Sequence, residues 1–235
     1  MKKIYLLLFL FPALFSCEKS VDSAAEALQA RQAAFATFSP QFAEMDLDTL
    51  PSFSCESATY GPHLSNASSD VLISDSLMQA TFPKALLGAA GFMRADEAGN
   101  LSFVSENEYY ALGNFPYAEG LDAYLIGAFE NESMYSTHMF LYDKNAGDFA
   151  YTHPLNFLME GGAFSSSRQA WLHDYDGDAV RDVVYLINMS AENDMGETES
   201  IISDSLRAEV WTGNGYAVQA IDDTYSLRSQ LDGNS

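Results

Sequence analysis

The sequence predicts a mainly β chain: antiparallel sheets, arranged as a β-sandwich or a partial propeller, behind one N-terminal helix. Three observations carry that expectation. Short apolar runs bounded by turn residues recur from about residue 101 onward. Tyr and Phe are frequent within them, and the one alanine-rich segment lies ahead of them. Composition sets the outer limits. The 235 residues carry 33 acidic and 11 basic side chains, a formal net charge of −22, with 48% hydrophobic and 13% aromatic residues. That apolar content suffices for a core and excludes a wholly disordered acidic chain. The charge excludes a nucleic-acid partner, because phosphate binding needs a basic stripe. It also disfavours electrostatic attraction to an anionic membrane surface. Two cysteines are too few for a disulfide framework.

Residues 1–16 read as a signal peptide. Lys2 and Lys3 precede an apolar run from Ile4 to Ser16, shorter than the roughly 20 residues that a spanning helix needs. The run closes on Leu14-Phe15-Ser16-Cys17, which resembles the lipobox of bacterial lipoproteins, although Phe15 departs from the usual small or branched residue. The resemblance implies that Cys17 becomes the lipidated first residue of the mature chain. Several acyl chains anchor by burying CH₂ groups at about 0.8 kcal/mol each. The membrane, through Cys17, is then one partner, and the bacterial envelope, at the outer membrane, is the expected location. The acidic opening after Cys17 is loosely similar to export signals of surface lipoproteins in the Bacteroidetes. Cleavage removes two lysines and no acid, so 9 basic and 33 acidic residues remain and the net charge becomes −24. With Cys17 acylated, Cys55 has no partner and is expected to be buried.

Residues 17–50 form a tether carrying the helix. Ser23-Ala-Ala-Glu26 is a capping-box pattern, the alanine-rich run to Phe38 favours helix, and Pro40 ends it. The helix either packs on the domain or spaces it from the membrane. Residues 51–225 are expected to form the β domain. Its opening to Asp70 is Ser-rich loop, Val71–Ile73 a short strand, and Phe82–Phe92 either a helix or a buried strand. Asp96–Asn100 is a turn. Strands follow at Leu101–Val104, Tyr109–Leu112, Ala123–Phe129, Met134–Tyr142 and Asp148–Tyr151, with 143–147 a hairpin loop. The run Gly161–Ser167 reads as a flexible loop, Val183–Ile187 as a strand buried on both faces. Glu192–Glu199 reads as an acidic loop. Leu206–Val210 and Tyr216–Ile221 pair through a turn at Thr212–Gly215, and 226–235 is a loose tail.

The stretch Asp174-Tyr-Asp176-Gly-Asp178-Ala-Val-Arg-Asp182 carries the strongest chemical signal. Aspartates at positions 1, 3, 5 and 9 repel one another unless solvent or a cation screens them. A hard divalent ion takes 6–8 oxygens, and the position-7 carbonyl, Val180, adds a main-chain donor. All-oxygen ligation favours Ca²⁺ over softer metals. The alternative is a solvated acidic turn. The loop resembles the calcium loops of FG-GAP and VCBS-type repeats, Asp-x-Asp/Asn-x-Asp-Gly-x-x-Asp followed by a hydrophobic strand. That resemblance spans Trp171–Gly215 and implies side-chain ligation by Asp174, Asp176, Asp178 and Asp182. It departs twice: Ala179 stands where the family prefers Gly, and the loop occurs once rather than as a repeat. The expected ion is structural.

No catalytic constellation accompanies it. His63, His138, His153 and His173 lack metalloprotease spacing, and no phosphate loop or serine elbow occurs. The aromatics Tyr109, Tyr110, Phe115, Tyr117, Tyr124 and Phe129 fit core positions better than a surface platform. The expected function is therefore a lipid-anchored envelope lipoprotein whose β domain binds one structural calcium and interacts with an envelope protein or glycan. The alternatives are a secreted carboxylate-dependent hydrolase with structural calcium, and an assembly lipoprotein without a ligand.

Overall fold

A computed structural model describes residues 11–45, 71–104, 107–130, 134–161, 164–192 and 198–221. Most of the leader, Cys55 and its surroundings, most of the 192–199 loop and the tail lie outside the described residues.

The fold is mainly β, antiparallel, behind an N-terminal helix. The helix α1 spans Phe11–Phe38 and runs into a 3-10 turn at Ser39–Gln41 that holds Pro40. It begins upstream of the expected start, so Ser23 lies inside it rather than at its cap. Next come β1 (Val71–Ile73), α2 (Asp75–Thr81) and α3 (Lys84–Ala89). Ser74 caps α2 by accepting from the Leu77 N–H at 3.3 Å. The Phe82–Phe92 ambiguity resolves as the short helix α3, begun at Pro83 and closed where Gly91 takes φ +77°. A hairpin of β2 (Met93–Ala95) and β3 (Leu101–Phe103) follows. In its turn, Asp96 Oδ1 accepts the Ala98 and Asn100 N–H groups.

The remaining strands are β4 (Asn107–Ala118), β5 (Leu121–Glu130), β6 (Met134–Asp143), β7 (Asp148–Gly161), β8 (Phe164–His173), β9 (Asp182–Glu192), β10 (Thr198–Trp211) and β11 (Tyr216–Gln219). They join β1 in one nine-stranded sheet of order β1-β4-β5-β6-β7-β8-β9-β10-β11. Every named pair in it is antiparallel. The expected flexible loop at 161–167 is corrected: Phe164–Ser167 belong to β8 and pair with β7 and β9.

Strand alternation explains how the sheet carries two cores. On one face of β4–β6, Tyr109, Tyr124, Ile126 and Phe140 pack with Phe38, Phe42, Met78, Phe82 and Leu87 from the helical layer. The neighbouring residues Phe115, Ala123, Leu125, Met139 and Leu141 point the other way. They meet Ala170, Val183, Tyr185 and Trp211 from β8–β10. This second core exists because β7 and β8 pair only between Phe157–Gly161 and Phe164–Arg168. Beyond that corner the sheet folds over itself in the manner of a sandwich.

The C-terminal part of α1 takes the packed alternative. The Phe35 ring stacks on Tyr142 with centroids 3.9 Å apart, and Phe38 meets Phe82 edge-on at 5.1 Å. Arg31 grips both carboxylate oxygens of Asp148, at 3.0 and 2.5 Å. Beyond the helix, the Ala43–Met45 backbone lies against β4, with Met45 N–H donating to the Asn114 carbonyl at 2.8 Å. Gly113 makes that approach possible, since a Cβ there would stand 2.1 Å from Met45 Sδ.

Candidate functional site

The aspartate loop occupies residues 174–181, between the paired ends of β8 and β9, His173 and Asp182. Short-range bonds wind it. The Gly177 and Ala179 N–H groups donate to the two oxygens of Asp174 at 2.8 and 3.0 Å. Asp176 Oδ1 accepts from Asp178 N–H at 3.2 Å, and Asp178 Oδ1 accepts from Val180 N–H at 2.7 Å. Each is a local carboxylate turn of the kind Asp favours. Gly177 and Ala179 both adopt positive φ, +83° and +69°, which turns the chain inward twice.

Asp182 fixes the loop to the sandwich. Its side chain lies 1% exposed, with Oδ2 accepting from Tyr175 N–H at 2.9 Å and Oδ1 from Trp211 N–H at 2.8 Å. Burial pushes the Asp182 carboxyl up, and the Trp211 and Tyr175 donors pull it back down. On the other side, the buried Tyr117 hydroxyl donates to the Arg181 carbonyl and meets the Tyr216 hydroxyl. Strands β4, β10 and β11 therefore all hold the point where the loop enters β9.

The consequence is convergence. Oxygens from Asp174, Asp176 and Asp182 all lie within 4.8 Å of one another. Two oxygens bound at 2.3–2.6 Å to one Ca²⁺ can stand up to about 5 Å apart, whereas Mg²⁺ at 2.0–2.1 Å spans only about 4.2 Å. The 4.8 Å limit is compatible with ligation of one hard cation. Asp178, the fourth expected side-chain ligand, is not in that group. Val180, the expected carbonyl donor, packs its side chain against the sandwich core.

A second polar group lies inside the sandwich. His153 Nε2 stands 2.9 Å from Glu209 Oε2, and Tyr185 donates to Glu209 Oε1 at 2.8 Å. The Arg168 guanidinium stacks 3.6 Å over the Tyr185 ring. Arg168 Nη2 also sits 3.2 Å from His153 Nε2. That nitrogen cannot both donate and accept, and donation to the carboxylate is the stronger bond. Burial holds His153 below its ordinary pKa, with Glu209 opposing. The group closes on itself except at Arg168 Nε, which is buried without a hydrogen-bond partner.

A cavity of about 380 Å³ lies between the α3–β2 connection and the sheet. Its walls are mostly apolar, among them Phe92, Met134, Phe157 and Met159, with Asn107 and Ser136 contributing polar groups. No carboxylate lines it among the described residues. Ser136 Oγ lies 3.2 Å from His138 Nε2. Burial holds the His138 pKa down to about 3, and its Nδ1 has no hydrogen-bond partner. An imidazole so weakly basic and without an orienting acceptor is a poor general base at neutral pH.

The aromatics weighed as a platform lie mostly inside: Tyr109, Phe115, Tyr117 and Tyr124 are buried. The sequence reasoning took Tyr117 as a core aromatic without a role at the loop, and it assigned no role to Glu209 or Arg168. Nothing local marks a tyrosine on β4 as the holder of a carbonyl 64 positions away. Compared with known proteins, the chain matches no family model, no curated protein and no solved structure.

Proposed function

We propose that this protein is a lipid-anchored bacterial envelope lipoprotein, held to the membrane through Cys17, whose β domain is a non-enzymatic binding module with one structural Ca²⁺ in the 174–182 loop. The observation that carries the reading is the convergence of Asp174, Asp176 and Asp182, each delivered by a different part of the loop. Three carboxylates brought that close repel unless solvent or a cation screens them, and an all-oxygen donor set suits calcium. The ion ties β8 to β9 and, through Asp182 and Trp211, to β10, so its binding energy adds to folding. Cys17 stands at the junction between an apolar run and polar sequence, where acylation anchors a chain without a spanning helix. Among the described residues no helix is long and apolar enough to cross a membrane. The partner of the module is another envelope component, protein or glycan.

The test has two arms. Palmitate labels the wild type in a bacterial host and does not label Cys17→Ser; equal labelling removes the anchor. Calcium at a hundredfold excess over its Kd stabilises the wild type by about 2.7 kcal/mol relative to chelator. Asp176→Ala abolishes that difference, and a wild type that melts identically with and without chelator removes the ion.

A further inference from the structure

Four turns of the sheet lie at one end of the sandwich. The strand pairs Ala118↔Leu121, Asp143↔Asp148, His173↔Asp182 and Trp211↔Tyr216 each close on one of them. Contacts across the sandwich hold them together: the Tyr117 hydroxyl near the end of β4 reaches the Arg181 carbonyl and the Tyr216 hydroxyl. The Tyr151 ring, near the start of β7, packs on Trp211 with centroids 5.6 Å apart. The aspartate loop is one of the four turns. From this end β5, β7 and β9 run to Glu130, Gly161 and Glu192 at the other.

Helix α1 points back toward the same end. Followed from its C-terminus, Phe38 packs on Tyr124, Phe35 stacks on Tyr142, and Arg31 binds Asp148, each step nearer the 144–147 turn. Gln32 crosses that turn closely, since a Cβ on Gly147 would stand 2.4 Å from its Nε2. Before Arg31 the helix leaves the body: residues 23–30 are exposed apart from the half-buried Leu28. A helix exposed on nearly every side bridges between bodies instead of packing on one. Ala24, Ala25, Ala27 and Ala30 supply the propensity that packing does not, and the docked turns that follow nucleate it. Cys17 lies within the same helix, so no linker separates it from the stalk. It precedes Arg31 by roughly four turns, about 21 Å along the axis.

We propose that α1 between Cys17 and Arg31 is a rigid stalk that holds the sheet with its aspartate-loop end facing the membrane and its opposite end facing away. The stand-off has an electrostatic reason. Asp122, Asp143, Asp174, Asp176 and Asp178 all stand at the end so turned, and close approach would set them against anionic headgroups. Screening acts over about 8 Å at physiological salt, so a separation of about 21 Å removes that repulsion. The orientation rests on the reading of Cys17 as the anchor and deepens it; it is independent of the cation.

The test uses the lipidated full chain, purified from a bacterial host and placed in vesicles of phosphatidylethanolamine and phosphatidylglycerol that carry a rhodamine-labelled lipid as energy acceptor. A fluorescent donor is attached to one introduced cysteine in a Cys55→Ser background. The two positions are Ala146→Cys, exposed in the turn between β6 and β7, and Glu192→Cys, exposed at the far end of β9. The expected result is transfer several-fold stronger from position 146, because about 21 Å of stalk separates it from the lipid and about 33 Å of strand is added for position 192. Replacing Ala24, Ala25, Ala27 and Ala30 together by Gly loosens the stalk and spares every docked residue. The two transfers then converge while the melting temperature stays at the wild-type value. Equal transfer in the wild type, stronger transfer from position 192, or a difference that persists in the glycine variant overturns the stalk. A chain that takes up palmitate at Cys17 and still shows equal transfer removes the orientation alone; a chain that takes up none removes the anchor and the orientation with it.

Discussion

Ala179 is the non-glycine residue that the described backbone holds at positive φ, at +69°. A Cβ in that conformation clashes with the neighbouring carbonyl and costs roughly 1–2 kcal/mol, a cost that glycine escapes. The loop tolerates it because Asp174 Oδ2 accepts the Ala179 N–H. Ala179→Gly is therefore expected to raise stability by about 1 kcal/mol, a rise of about 2–4 °C in melting temperature. A lowered melting temperature would show that the left-handed turn is not the strained point. The aspartate spacing was legible in the sequence, and it picked out three side chains that do converge. Spacing alone did not show that Asp178 stands outside that group; its Oδ1 accepts the Val180 N–H two residues on. Asp182 differs again. Its oxygens already serve Tyr175 and Trp211, so its removal harms the fold with or without an ion. Asp176 is exposed, which makes it the cleaner probe of cation binding.

At the scale of elements, alternation located β5 and β6 almost to their ends, and the turn residues at 143–147 and 212–215 located two hairpins. The failures have physical causes. β8 begins Phe164-Ser-Ser-Ser, with little intrinsic strand preference, and it is a strand because β7 and β9 both offer it hydrogen-bonding edges. β4 continues past Leu112 through Gly113 and Pro116, residues that ordinarily end a strand. Register shifts at both places absorb them, and Gly113 is needed for the approach of Met45. The helix–strand ambiguity of 82–92 could not be settled by periodicity; Pro83 at the start and Gly91 at the end settle it in the fold. The docking of α1 depends on Arg31 reaching Asp148, a pairing of residues 117 apart that no local pattern reveals.

For the whole molecule, acidity governs solubility and long-range field, while burial sets the protonation of its interior histidines. His138 is the clearest case. It is buried between the sheet and Phe92, with His153 and Arg168 also near, and its pKa is pushed down to about 3 from 6.5. The unfolded chain protonates this imidazole below about pH 6.5, and the folded chain resists until about pH 3. Its contribution is thus complete above pH 6.5 and declines as pH falls through that window, by up to about 1.4 kcal/mol per pH unit. The wild type is expected to lose more melting temperature between pH 7 and pH 5 than His138→Phe does; equal losses would contradict the neutral buried imidazole.

The central claim is that the 174–182 loop is a calcium site and not a solvated turn. Isothermal titration of the metal-free chain with calcium tests it most directly. The account predicts one ion bound per chain, with affinity lowered at least about tenfold in Asp176→Ala by the loss of one carboxylate ligand. Absence of saturable heat in the wild type, or equal affinity in Asp176→Ala, would contradict it.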